Sequence, residues 1–119
     1  MFDWNGFLDL ADRLLADAPD EASLRSATSR AYYAAYHAAA AFVRASGLLR
    51  QGHTHHRVWI ALTTDANPAR SAIGDRGDRL RRRRIAADYQ DDALEDLVTS
   101  ARDAVDEARS LVEAINRLA

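Results

Sequence analysis

The sequence predicts an all-α fold, an antiparallel bundle of four to five helices with two of them long. Three observations carry that reading. No Gly or Pro interrupts the Ala-rich stretch from Glu21 to Ser46, and Ala is the strongest helix former. A second long stripe, Leu94, Leu97, Val98, Ala101, Ala104, Val105, Ala108, Leu111, Val112, Ile115 and Leu118, repeats at helical spacing to the end of the chain. No segment between them alternates apolar and polar residues in the manner of a strand.

Taken in order, the first helix is expected from about Phe7 to Asp17. Phe7, Leu10, Ala11, Leu14 and Leu15 share one face, and Asp3 or Asn5 is placed to cap the start. Pro19 ends the approach and Asp20 caps the long second helix. Gly47 closes that helix in the left-handed conformation that favours glycine. Two faces can be drawn on it. Leu24, Thr28, Ala31, Ala35, Ala38 and Phe42 make a narrow stripe of mostly small residues, which lets a neighbouring helix come close. Ser26, Arg30, Tyr33 and His37 make a second, polar and aromatic stripe. Tyr32 and Tyr36 are expected to bury their rings and hydrogen-bond at their tips.

A loop is expected from Leu48 to Thr54, and Thr54 then caps a third helix from His55 to Thr64, ended by Asn67-Pro68. The cluster His53, His55 and His56 has no Cys or carboxylate close by to complete a tetrahedral set, so it is read as a helix start and not as a metal site. Gly74-Asp75-Arg76 followed at once by Gly77-Asp78-Arg79 is read as a flexible loop. Its Gly-x-x-Gly pattern lacks the strands that surround an RNA-backbone clamp and is treated as chance. Arg79 and Arg81 to Arg84 form the strong basic run, set around Leu80. Four consecutive arginines point around most of a helix, so not all can serve one site, and the run reads either as a solvated helix face or as a phosphate-binding patch. Asp92 and Glu95 have capping-box spacing for the last helix.

Composition narrows the classes. A chain of 119 residues supports one domain, residues 1–119, with one core. No apolar run is long enough to span a membrane. The acidic N-terminus does not read as a signal peptide. Cysteine is absent, which favours the cytoplasm. The formal net charge of -2 gives no global attraction to nucleic acid. Every basic residue is Arg. With the heavy Ala usage this marks a GC-rich coding sequence, and it lowers the weight of any single Arg as a chosen phosphate binder. The sequence shows no nucleophile elbow and no phosphate-cradling Gly loop, and no cofactor is expected.

The segment Arg30-Ala31-Tyr32-Tyr33-Ala34-Ala35-Tyr36-His37-Ala38-Ala39 resembles the signature helix of the HEPN domains, whose members carry an Arg-Ala-Tyr-Tyr-Ala-aromatic run. Thr54-His55 followed by Val58 is similar to a stretch seen in one branch of that family. The stretch from Leu80 to Asp91 extends the resemblance, which with the helix layout covers nearly the whole chain. Many members carry an Arg followed a few residues later by a His near the start of a late helix. In active members the pair resembles a metal-independent RNase site completed across a dimer. Here Arg84 matches the Arg, and Tyr89 stands where the His is expected. A phenol with a pKa of about 10 is a poor proton shuttle at neutral pH.

The resemblance therefore implies a nucleotide- or RNA-binding regulatory module, one half of a toxin–antitoxin or defence pair with a small nucleotidyltransferase. Its binding residues would be Arg30, Tyr33, Arg83, Arg84 and Asp88. The alternative is a metal-independent endoribonuclease toxin in which Arg84 holds phosphate, His37 moves the proton and Tyr89 assists. A second alternative is a purely structural, oligomerising helical protein. A homodimer is expected in each case.

Overall fold

The computed structural model describes residues 1–49 and 54–118. The chain is all helical there: α1 is Gly6–Leu15, α2 Glu21–Ala45, α3 His55–Thr63, α4 Pro68–Tyr89 and α5 Leu97–Arg117. Three of the helices are long. His53 and most of the expected loop from Leu48 to Thr54 lie outside the described residues.

Helix α2 is the central post, packed against all four other helices. Its small residues make this possible. Ala27, Ala31, Ala34, Ala35, Ala39 and Ala40 are all buried on α2, and Ala101, Ala104, Val105, Ala108, Leu111 and Ile115 are buried on α5, which packs against it. Small side chains let the neighbouring helices come close to α2. The caps on α2 are as the sequence predicts. The Asp20 carboxylate accepts the Ser23 backbone N–H at 2.8 Å, and Gly47 adopts a φ of 76°. The Thr54 hydroxyl accepts the Arg57 N–H at the start of α3.

Three local expectations are corrected. The segment from Gly74 to Arg79 is no loop but the middle of α4, which runs unbroken from Pro68. Asn67 caps it, its side-chain oxygen accepting the N–H groups of Ala69 and Arg70, and Pro68 opens it. The glycines serve the packing of α3 on α4. A methyl group at Gly74 would strike the Thr63 backbone, and one at Gly77 would strike the Trp59 ring. Second, Asp92 does not cap the last helix, which starts at Leu97 after Asp96 in a left-handed conformation, φ 47°. The intervening chain is held by Arg25. Its guanidinium donates to the carbonyl oxygens of Ala87 at 3.1 Å, Gln90 at 2.7 Å and Asp92 at 3.2 Å. These are the orphan acceptors of the α4 terminus and the turn beyond it. Third, neither candidate caps α1 through its side chain. Asn5 occupies the position without a side-chain bond, and the Asp3 carboxylate accepts the Asn5 N–H instead. Helix α1 also stops at Leu15, ahead of Asp17 and Ala18, which are both left-handed.

Candidate functional site

The arginine run divides by direction, because successive residues on a helix point about 100° apart. Arg81 turns back to the Asp78 carboxylate at 2.9 Å, and Arg82 pairs with the same carboxylate. Arg83 lies in a cleft against α5 with Arg76, Arg79, Leu80, Asp103 and Glu107. Arg84 alone turns inward onto α2 and is only 9% exposed.

A buried guanidinium needs partners, and those of Arg84 are mainly aromatic. Its central carbon lies 5.3 Å from the Tyr32 ring centroid and 5.5 Å from that of Tyr33, within cation–π range. Its one carboxylate partner, Asp88, is 3.5 Å away, one helical turn on. That carboxylate also accepts the Ser29 hydroxyl at 3.1 Å. The Nε of Arg84 is buried with no hydrogen-bond partner among the described residues. Arg30 approaches from the other direction. Its guanidinium sits 4.9 Å from the centroids of both Tyr33 and Phe7, and donates weakly to Ser29 Oγ at 3.5 Å. No carboxylate pairs with Arg30 among the described residues. Two guanidiniums therefore gather about Tyr33, and among the described residues a single carboxylate, that of Asp88 on Arg84, balances them.

Behind this pair lies a polar network. Trp59 Nε1–H donates to the Tyr32 hydroxyl at 3.0 Å, and that hydroxyl lies 3.1 Å from His55 Nδ1. The Tyr32 hydroxyl, which accepts from Trp59, thus joins the indole to the imidazole ring. His55 is stacked on Tyr36 at 3.7 Å and meets Tyr33 edge to face at 5.6 Å. Burial, with the charges of Arg84, His37 and Arg81, pushes its pKa down to about 4. Its place at the positive end of α3 works in the same direction. Burial drives the Tyr32 hydroxyl well above its usual range, so it stays protonated.

Arg30, Tyr33, Arg84 and Asp88 are thus brought together. His37 is held one turn further along α2, its ring flat against Trp4 at 3.5 Å with 8° between the planes. No hydrogen bond joins it to Arg84 among the described residues. Burial lowers its pKa, with the Arg44 charge adding to the effect. Tyr89 points outward, 72% exposed. Arg83 sits in its separate cleft. His55 starts α3 as expected, and it is also the histidine joined through Tyr32 to the Arg84 environment. The signal was present, since His55 and Trp59 are four apart on α3 and so share a face.

Among the described residues, no group of three or more His, Cys, Asp or Glu is arranged to hold a metal ion. Nor is any helix there long and apolar enough to cross a membrane. No curated protein and no solved structure matches the sequence closely enough to count as a relative. The family comparison agrees with the Arg-Ala-Tyr-Tyr helix and the five-helix layout: the HEPN domain model matches residues 5–118, and the chain belongs to the HEPN family.

Proposed function

We propose that this single-domain protein is a cytoplasmic nucleotide- or RNA-binding regulatory module, one half of a toxin–antitoxin or defence pair with a small nucleotidyltransferase. Its ligand's phosphate is taken up by Arg30 and Arg84, with Tyr33 between them and Asp88 orienting the second guanidinium. The observation that carries this reading is the underneutralised pair: two guanidiniums stand over Tyr33, and among the described residues the one carboxylate at hand, Asp88, pairs with Arg84 alone. A phosphate oxygen is the acceptor that such a fork recognises.

The test is binding of fluorescent oligonucleotide across a salt series. Arg84→Met and Arg30→Met are each expected to weaken binding about tenfold or more and to lower the salt slope by about one unit per lost contact. Arg83→Met, which removes a charge from the separate cleft, is expected to change affinity much less. Equal losses at positions 83 and 84 would reduce the site to a diffuse basic face. The protein is also expected to be a homodimer. The exposed Ile85 and Tyr89 on the outer face of α4 support this, and a monomer mass by light scattering would count against it.

The endoribonuclease reading is the weaker one. Cleavage through a cyclic phosphate needs a base and an acid, each with a pKa near the working pH. Tyr89 is a solvent-facing phenol. His37 is covered by Trp4, and the depressed pKa of His55 makes it a poor proton donor at neutral pH. Purified protein is therefore expected to cut structured RNA weakly or not at all without metal. Efficient cutting that is lost in folded His37→Ala or His55→Ala would reverse that expectation. A gain of cutting in Tyr89→His would tie the natural chain to a binding role.

A further inference from the structure

The N-terminal segment carries Phe2, Trp4 and Phe7 within six residues. A turn orders it, with Gly6 N–H donating to Asp3 O and Phe7 N–H to Trp4 O, both at 3.0 Å. The three rings meet edge to face, Phe2 to Trp4 at 4.7 Å, Trp4 to Phe7 at 5.4 Å and Phe2 to Phe7 at 5.6 Å. Trp4 is anchored from below by its stacking on His37, and Phe7 packs against the core. Yet Phe2 is 57% and Trp4 37% exposed. Large rings so well fixed and so open are poorly used as packing. They are also continuous with the guanidinium pair, because the Arg30 guanidinium that lies over Tyr33 lies equally over Phe7. The one acid in the segment, Asp3, spends its carboxylate on the Asn5 N–H.

We infer that Phe2 and Trp4 form a stacking surface for unpaired bases of a single RNA strand whose phosphate lies at Arg30 and Arg84. The inference rests on the phosphate-binding reading above and adds a second element to it. Aromatic faces bind bases with little regard to sequence, but only bases that are not already stacked inside a duplex. Next to two guanidiniums they select single strands over both duplexes and bare polyanions. The ligand is then an oligonucleotide strand and not an isolated mononucleotide, which could occupy the guanidiniums or the rings but would leave much of the surface uncovered.

The experiment uses the two tryptophans. Trp59 is fully buried and Trp4 is not, so quenching by a stacked base reports on Trp4 alone. The probes are a short oligoadenylate, the same strand paired with oligouridylate, and an abasic ribose-phosphate oligomer of equal length. The oligoadenylate is expected to quench the wild-type protein and to bind more tightly than the other two. Quenching should vanish in Trp4→Phe. Phe2→Ala, a change at an exposed ring, should weaken oligoadenylate binding about tenfold while leaving the abasic oligomer's affinity and the salt slope unchanged. Equal binding of oligoadenylate and abasic oligomer, with Arg84→Met still weakening both, would overturn the stacking surface and spare the phosphate site. Indifference of all binding to Arg30→Met and Arg84→Met would overturn both readings. A Phe2→Ala variant that falls from dimer to monomer with unchanged RNA affinity would make the rings a contact for a second copy, and would also overturn the inference.

Discussion

Replacing Gly77 by Ala will destabilise the protein by about 2–4 kcal/mol, although the same change in an ordinary helix interior stabilises by up to about 1 kcal/mol. The reason is the contact that the missing side chain permits. Gly74 and Gly77 are three apart and so lie on one face of α4, the face that receives α3. The added methyl would overlap the Trp59 ring. Trp59 cannot step aside, because it is fully buried and tied to the Tyr32 hydroxyl through its indole N–H. Overpacking of this kind costs about 1–3 kcal/mol and occasionally more, and displacement of Trp59 would break the hydrogen bond as well. At roughly 4 °C per kcal/mol for a domain of this size, the thermal midpoint should fall by about 8–16 °C. Gly6→Ala is the control. It stands at the start of α1 with open space around its Cβ position, and should be neutral or slightly stabilising. If Gly77→Ala melts as high as Gly6→Ala, the close approach of α3 to α4 is not what the glycine serves.

Those two glycines also show where sequence reasoning reaches its limit. Gly-Asp-Arg repeated twice is locally a breaker signal, and only the neighbour across the interface makes it a packing device. Signals that act within one turn were legible: Asp20 on the Ser23 N–H, Thr54 on the Arg57 N–H, the left-handed Gly47. Asn67-Pro68 was legible as the end of one helix but not as the cap and first residue of the next. Asp92 does not cap the last helix, which starts only at Leu97, and its carbonyl oxygen is held by Arg25, far away in sequence. The split of the arginine run was hidden for the same kind of reason. Periodicity says that four successive arginines point around the helix, but the aromatic floor that selects Arg84 belongs to α2. His55 was missed because a three-histidine cluster invites the question of metal. The relevant spacing was instead that of His55 to Trp59, two groups converging on one tyrosine hydroxyl.

The second large effect is a loss of stability on acidification above the range where carboxylates titrate. In the unfolded chain His55 takes a proton near pH 6.5. In the folded protein it does so only near 4, chiefly because its ring is desolvated between Tyr36 and Tyr33 and secondarily because Arg84 is close. Between those values the unfolded state binds more protons than the folded one, so stability rises with pH across the window and is lost as pH falls from about 6.5 toward 4. The full shift corresponds to about 3 kcal/mol, and the partial exposure of the ring reduces this to about 1–2 kcal/mol. His37, lowered by burial and by Arg44, adds a contribution of the same sign. The carboxylates do not confuse the window. Asp20, accepting the Ser23 N–H, and Asp65, accepting the Asn67 N–H, are held below the ordinary value of 3.8. So is Asp78, where burial pushes upward but the Arg81 hydrogen bond and charge prevail. Their losses come at lower pH. In His55→Gln the side-chain amide can still hydrogen-bond the Tyr32 hydroxyl but does not titrate, so the pH slope of the thermal midpoint between 6.5 and 4 should flatten by more than half. NMR of the wild-type ring protons gives the direct value. A His55 midpoint near 6.5, or an unchanged slope in His55→Gln, would mean that the ring is solvated and free of the Tyr32–Trp59 network. A midpoint near 4 would place an uncharged imidazole beside the Arg84 guanidinium at neutral pH, leaving the positive charge of the site to the arginines alone.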